Sequence, residues 1–136
     1  MIAYAVIDTN VMVSAMLSSH GDAATVQVVG KLFTGEIIPL YNTEIITEYN
    51  DVLHRDKFSF PENDIYVMLS VIEKYGVYVD AEPSGVLLPD IKDLPFYEVA
   101  LEKKDDNAYL ITGNIKHFPK KPFIVTASQM LDILKG

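Results

Sequence analysis

The chain has 136 residues, of which 49% are apolar and 22% are charged, a balance that predicts one globular domain over residues 1–136. It contains no cysteine, which excludes disulfides and thiolate metal sites and leaves oxygen and imidazole groups as possible metal ligands. A formal net charge of -8 counts against a broad basic surface that binds nucleic acid through many phosphates.

The amino-terminal residues and the lengths of the apolar runs predict a cytoplasmic location. No apolar run is long enough to span a membrane. Residues 1–7 lack the basic group that begins a secretory signal, and Asp8 closes the apolar stretch early. We therefore expect a cytoplasmic protein without membrane contact.

The first part of the chain alternates apolar strands with amphipathic helices. Residues 2–7 form an apolar run that predicts a buried strand, and a helix is expected near residues 10–18. Asp22 is expected to cap a second helix that ends at Gly35. The residues expected on its apolar face are Val26, Val29, Leu32 and Phe33.

The next strand, Ile37–Tyr41, is short and apolar. Asn42 or Thr43 can cap the helix that follows, which is expected to reach about His54. Spacing of three and four residues predicts one apolar face in this helix. Its members are Ile45, Ile46, Tyr49, Val52 and Leu53.

The second part of the chain continues the alternation. Ser59 with Glu62 predicts a capping box that starts a helix through Lys74, and Gly76 is expected to end it. Residues 82–95 contain three prolines and form the longest predicted loop, and loops of that length are often functional. The other expected elements are strands at 77–80, 108–112 and 123–126 and helices at 96–103 and 127–134.

Apolar strands that alternate with helices predict a three-layer α/β/α sandwich around a parallel sheet of about five strands. In such sheets, ligands bind beyond the carboxyl ends of the strands, where the strand order reverses. Asp8 follows one predicted strand, and Thr112, Gly113 and Asn114 follow another. We therefore expect these residues to lie at one edge of the sheet.

Two acidic residues in the first half of the chain are candidates for chemistry. Asp8 follows a buried strand, where an ionised carboxylate needs a ligand or hydrogen-bond donors. The alternative is a helix cap, a role that Thr9 or Asn10 could share, and this residue alone leaves both readings open. Glu48 lies at the margin of an apolar helix face, which favours a functional position over a boundary residue paired with Arg55.

Two later segments add further polar groups. Asp90 and Asp93 precede a predicted helix, and one of them is expected to be only a cap because acids are favoured at helix N-termini. Asp93 is the better candidate ligand and Asp90 the supporting one. Thr112 and Asn114 bring a hydroxyl and a carboxamide to the turn after the next strand.

Some positive charge is grouped along the chain. Arg55 and Lys57 lie in one short stretch, and Lys116 and His117 lie in another. Contact with RNA and an exposed loop remain open for both stretches. A surface position is favoured for His117 over a role in placing RNA or protonating a leaving group. Core packing is favoured over base stacking for Tyr41, Tyr49 and Phe96.

The order of these motifs resembles the PIN-domain family, over essentially the whole chain. The chain looks most like the bacterial branch whose members are toxin components of toxin–antitoxin systems. The motifs are Asp8-Thr9-Asn10; Glu48 followed by Val52, Leu53, Lys57 and Phe58; Asp90-Ile91-Lys92-Asp93-Leu94-Pro95-Phe96; and Thr112-Gly113-Asn114-Ile115-Lys116-His117-Phe118-Pro119.

The resemblance implies an endoribonuclease that depends on Mg²⁺ or Mn²⁺, is often dimeric and is inhibited by a small antitoxin protein. The implied catalytic acids are Asp8, Glu48 and Asp93, and the implied metal ligands are these acids and Asn114. Supporting roles fall to Thr9, Asn10, Asp90 and Thr112. Asn114 departs from the family pattern, in which an aspartate is common, and this puts a second strongly bound metal in doubt.

Three other kinds of protein share part of this pattern. A haloacid-dehalogenase-like phosphatase needs a second acid two residues after the first, where this chain has Asn10. A receiver-like domain would place an acidic pair near Asp8 itself. The third alternative, an inactive PIN fold that serves as a protein- or RNA-interaction module, stays open because of Asn114.

Overall fold

The computed structural model describes residues 2–136. Its central layer is a five-stranded parallel sheet with the strand order β3-β2-β1-β4-β5. The strands are β1 (Ala3–Ile7), β2 (Ile37–Tyr41), β3 (Val77–Tyr78), β4 (Ala108–Ile111) and β5 (Ile124–Val125). The chain builds one half of the sheet outward from β1 and then returns to β1 with β4, so the strand order reverses between these two strands.

Helices cover both faces of this sheet, which confirms the predicted three-layer α/β/α fold. The helices are α1 (Thr9–Leu17), α2 (Ala24–Thr34), α3 (Thr43–Leu53), α4 (Glu62–Tyr75), α5 (Leu94–Lys103) and α6 (Ala127–Lys135). Short 3-10 turns lie at Asp56–Phe58, Ile91–Asp93 and Ile115–His117.

The register of β1 against β4 positions the candidate site. Ile7 pairs with Ile111, and both side chains are almost completely buried. The residues that follow them, Asp8 and Thr112, therefore leave the sheet side by side. The backbone N–H of Asp8 also donates to the carbonyl of Ile111 at 2.9 Å, which holds the two strand ends together.

Two of the predicted helix starts are wrong. α2 begins after Ala23 without a side-chain cap, so Asp22 does not cap it. The expected capping box of Ser59 and Glu62 does not form, because Ser59 adopts a left-handed conformation with φ of 54° and its hydroxyl donates to the carbonyl of Asp56. Ser59 thus closes the preceding 3-10 turn, and α4 starts after Pro61.

Other local signals behave as expected. Asn42 caps α3 by accepting a 3.0 Å hydrogen bond from the backbone N–H of Ile45, which confirms that prediction. A capping box that was not predicted joins Thr126 and Gln129 at the start of α6. Gly76 ends α4 as predicted, and a β-carbon there would clash with the carbonyl oxygens of Ile72 and Pro39.

The apolar face of α2 differs from the prediction. Phe33 is 51% exposed, and Val26 is only partly buried, whereas Val28, Val29 and Leu32 lie in the core. β3 is also shorter than residues 77–80, and it lies at the sheet edge, where it pairs with β2 alone. No helix within residues 2–136 is both long and apolar enough to cross a membrane.

Candidate functional site

Asp8 is a buried carboxylate at the end of β1, with 4% of its surface exposed. Its Oδ2 accepts hydrogen bonds from the Thr112 hydroxyl at 2.7 Å and from Nδ2 of Asn10 at 3.1 Å. The residue stands at the N-cap position of α1, but its side chain makes no capping hydrogen bond. The alternative interpretation of Asp8 as a helix-capping side chain is therefore wrong.

The surroundings of Asp8 work against its ionised form. Burial raises the pKa of this carboxyl group above its ordinary value. The hydrogen bonds from Thr112 and from Asn10 lower it, and the nearby charge of Glu48 raises it again. A cation placed beside Asp8 would stabilise the ionised form that burial disfavours.

Glu48 is brought close to Asp8 by the packing of α3 on α1. Its Oε2 accepts a 2.9 Å hydrogen bond from the hydroxyl of Thr9, which is itself buried. Among the described residues, Glu48 and Arg55 form no ion pair, so the alternative in which Arg55 neutralises Glu48 is not what the fold adopts. Thr9 instead orients the Glu48 carboxylate.

The two acids of the long loop differ in their contacts. Asp90 caps the 3-10 turn Ile91–Asp93 through a 2.9 Å hydrogen bond from the backbone N–H of Lys92. Asp93 precedes α5 but makes no capping hydrogen bond, and its side chain is 16% exposed. The carboxylate of Asp93 is thus not used by the helix that it precedes.

The pKa of Asp93 is raised by its burial and by the charges of the neighbouring acids. Burial, followed by the charges of Asp8 and Asp90, raises this pKa from its ordinary 3.8 to about 6. Glu48 adds to the rise, whereas His117 opposes it. Acids from three separate segments therefore act on one another electrostatically, and a bound cation would relieve their repulsion.

His117 lies next to Asp93. Its Nδ1 is 3.7 Å from Oδ2 of Asp93, and 48% of its side chain is exposed. The favoured interpretation of His117 as a surface residue is therefore correct for its exposure but incomplete, because the turn after β4 places the ring beside an acid of the cluster.

The acids face a common cleft of about 710 Å³. Its acidic residues are Asp8, Glu48, Asp90 and Asp93. Thr9, Asn10 and Arg55, which the sequence also singled out, line the same cleft. Arg55, Lys92 and several apolar side chains also lie along its walls.

The turn after β4 supports the candidate site through hydrogen bonds, and its residues do not form part of the cleft wall. The backbone N–H of Asn114 donates to the Thr112 hydroxyl at 2.9 Å, and that of Gly113 donates to Oδ1 of Asn10 at 3.1 Å. Asn114 itself is exposed. Within residues 2–136, the candidates that do not line the cleft are Lys57, Thr112, Asn114, Lys116 and His117.

Several cleft residues were missed by the sequence analysis. Lys92 and Phe58 line the cleft, although both stood inside quoted motifs. The α1 residues of the wall are Val13, Ser14, Leu17 and Ser18. Steps of three and four residues from Asn10 place Val13, Ser14 and Leu17 on its helix face, a signal that could have identified them.

The donor set fits a hard divalent cation by its chemistry. Carboxylate oxygens are the ligands that Mg²⁺ prefers, and this ion needs only one or two of them because it keeps several waters. Within residues 2–136, no three acidic or histidine side chains are already close enough together to form a ready-made metal site. The cluster therefore offers suitable ligands without a preformed cage.

Comparison with known families gives a match over most of the chain. A family model described as "PIN domain" matches residues 4–116. The matched range contains all four acids of the cleft together with Thr112 and Asn114. No curated protein and no solved structure matched the chain.

Proposed function

Because the chain belongs to the PIN-domain family, we propose that it is a metal-dependent endoribonuclease that cleaves single-stranded or structured RNA. PIN domains are generally nucleases and typically use divalent metal ions, so hydrolysis of nucleic acid is the coarse assignment. The observation that carries the finer proposal is the cleft that brings Asp8, Glu48 and Asp93 together, where burial and the charges of the other two acids raise the pKa of Asp93.

We assign the three acids as the residues that would hold Mg²⁺ or Mn²⁺. Asn114 is the fourth candidate ligand, through its carboxamide oxygen, and would add no charge. When bound, such an ion polarises a phosphodiester and lowers the pKa of an attacking water. No side chain of the protein then has to serve as the nucleophile.

The remaining polar residues position these acids. Thr112 and Asn10 both donate to Oδ2 of Asp8, which restricts the orientation of that carboxylate. Thr9 restricts Glu48 in the same way. Hydrogen bonds from neighbouring residues to a metal-binding carboxylate hold the carboxylate in the orientation that the ion requires. Asp90 supports the cluster by shaping the turn that carries Asp93.

The charge of the cleft predicts that the ion is needed for substrate binding as well. Four carboxylates in one cleft repel a phosphate, and the chain as a whole has a formal net charge of -8. A divalent cation reverses the local sign at the point where the phosphate arrives. Chelation should therefore weaken RNA binding and stop cleavage together.

We further propose that the protein is the toxin of a toxin–antitoxin pair, acting in the cytoplasm as a single domain over residues 1–136. A small antitoxin protein and a homodimer are the proposed protein partners. These proposals rest on the resemblance to the bacterial toxin branch, and the net charge of -8 suits a basic partner.

Two observations favour a second candidate function. Asn114 is exposed and adds no charge, and no three ligands are preassembled among residues 2–136. Both facts suit a PIN fold that has lost activity and serves as a protein- or RNA-interaction module. Such a module would bind its partner equally well with and without divalent ions.

The test compares the wild type with Asp8→Asn on a panel of single-stranded and structured RNAs in Mn²⁺ or Mg²⁺. We expect the wild type to cleave, EDTA to stop it, and Asp8→Asn to be inactive. Asp132→Asn is the matched control, because it makes the same change at an exposed position on α6. Equal cleavage by the wild type and Asp8→Asn would remove the nuclease proposal.

A further inference from the structure

The cleft that contains the acids continues along an apolar wall. Val13 and Leu17 of α1, Val52 of α3, and Phe58 of the 3-10 turn all line it. Leu17 is 56% exposed, and Phe58 is partly buried. An apolar surface beside a charged cluster is not needed to hold a metal ion or a phosphate, so it calls for a separate explanation.

Phe58 is the aromatic residue of this wall. Its ring stacks on that of Phe60, with centroids 5.3 Å apart and an angle of 16° between the planes. Nζ of Lys57 lies 5.1 Å from the centroid of the Phe58 ring. The Phe60 ring supports Phe58 against reorientation, and a flexible exposed lysine is readily displaced from a ring face by a flat ligand.

Two cations lie in the same cleft. Arg55 and Lys92 both line it, and neither forms an ion pair within the part of the chain that the structure describes. Arginine and lysine without acidic partners can bind phosphate groups directly. The cleft thus combines positions for phosphates with an aromatic ring and an aliphatic wall, which together suit a nucleotide.

We propose that the apolar wall is a base-binding subsite, in which Phe58 stacks one unpaired nucleobase of the RNA that is cleaved at the acids. This inference rests on the proposed ribonuclease function. A base within a duplex has both faces covered by its neighbours, so only an unpaired base can present a face to the ring. The subsite selects single-stranded RNA with little preference among the bases, because every base has a face that stacks.

Substitution Phe58→Trp provides a direct probe, since the chain contains no tryptophan. We expect single-stranded RNA to quench the fluorescence of this variant as a base stacks on the indole. The comparison ligands are a blunt-ended duplex of the same sequence and an abasic chain of the same length. Titrations are run in Ca²⁺, and gels confirm that the RNA remains intact.

The abasic chain separates stacking from phosphate binding, because it keeps the phosphates and lacks the bases. We expect the duplex and the abasic chain to cause little quenching. Absence of quenching by single-stranded RNA, or equal quenching by the abasic chain, overturns the base subsite. The apolar wall would then be interpreted as a binding surface for an apolar side chain of a protein partner.

Affinity measurements give a second test. Phe58→Ala should weaken binding of single-stranded RNA roughly 5- to 100-fold, the loss expected for one stacked base, whereas Phe58→Tyr should bind like the wild type. Phe33→Ala is the matched control, because Phe33 is an exposed aromatic residue outside the cleft. Equal affinity of Phe58→Ala and wild type for single-stranded RNA contradicts the proposal.

Failure of the subsite and failure of the ribonuclease proposal give different results. If only the subsite is wrong, the wild type still cleaves RNA and Phe58→Ala cleaves single-stranded and duplex RNA with unchanged preference. If only the nuclease proposal is wrong, no RNA is cleaved, but single-stranded RNA still quenches Phe58→Trp.

Discussion

The hydroxyl of Thr112 donates a 2.7 Å hydrogen bond to Oδ2 of Asp8 between residues that lie 104 positions apart in the chain. This hydrogen bond forms because β1 and β4 are neighbouring strands whose last residues, Ile7 and Ile111, are paired. Thr112 is completely buried, so water cannot replace Asp8 as the hydrogen-bond acceptor of this hydroxyl. The central acid of the cleft is thus held by the neighbouring strand.

Replacing Thr112 by valine, which keeps the shape and removes the donor, should damage both stability and activity. Losing a hydrogen bond to a buried carboxylate costs about 1–3 kcal/mol of unfolding free energy. Because that bond lowers the pKa of Asp8, the acid limb of the pH–rate profile should also shift to higher pH. Urea unfolding and a pH–rate profile measure these effects.

Thr112→Ser is the control for this substitution, because it keeps the hydroxyl and removes only a methyl group. It should retain the wild-type pH profile. An unshifted profile in Thr112→Val would mean that Asp8 does not depend on this donor.

The metal-free protein should become less stable as the pH rises through about 6. The pKa of Asp93 is about 6 in the folded chain and near its ordinary 3.8 when the chain is unfolded, so the folded state binds this proton more tightly. The stability that this proton provides is fully present below the pKa of the unfolded chain. It is lost as the pH rises from that pKa to the pKa of the folded chain. Thermal unfolding in EDTA at pH 5 and pH 7.5 measures the difference, on the order of a few degrees.

Asp93→Asn is the matched variant for this pH test, because it removes the titrating group and keeps the shape. It should reduce the difference between the two pH values. An equal difference in the wild type and in Asp93→Asn would show that other groups produce it.

Binding of Mn²⁺ should stabilise the wild type and should be stronger in Asn114→Asp. Ligands must be deprotonated to bind the metal, so affinity should rise with pH across the range in which Asp93 ionises. Calorimetry with Mn²⁺ gives the affinity, and the gain in melting temperature over EDTA gives an independent reading. An aspartate at position 114 adds a charge to the acidic cluster, which raises its attraction for a divalent ion.

Two results would argue against this account of the metal site. If Asp8→Asn binds Mn²⁺ as tightly as the wild type, the ion lies elsewhere. If Asn114→Asp binds no more tightly, the exposed position of Asn114 is too far from the ion to matter.

Much of the fold could be predicted because its signals are local or periodic. Apolar strands that alternate with amphipathic helices require a covered parallel sheet, and the structure has one. Asn42 caps α3 as its position before an amphipathic helix suggests. Ser59 shows the limit of such signals. Its hydroxyl could have capped the following helix, but it donates instead to the carbonyl of Asp56 in the preceding turn.

The sequence by itself determined the chemical types of the candidate site, namely acids without thiols, placed after strands and before a helix. Only the tertiary structure decided which groups meet: Thr9 with Glu48, His117 with Asp93, and Phe58 with the same cleft as the acids. The physical reason is that each pair joins distant segments, so its distance depends on strand register and helix packing. No pattern within a few residues of either partner contains that information.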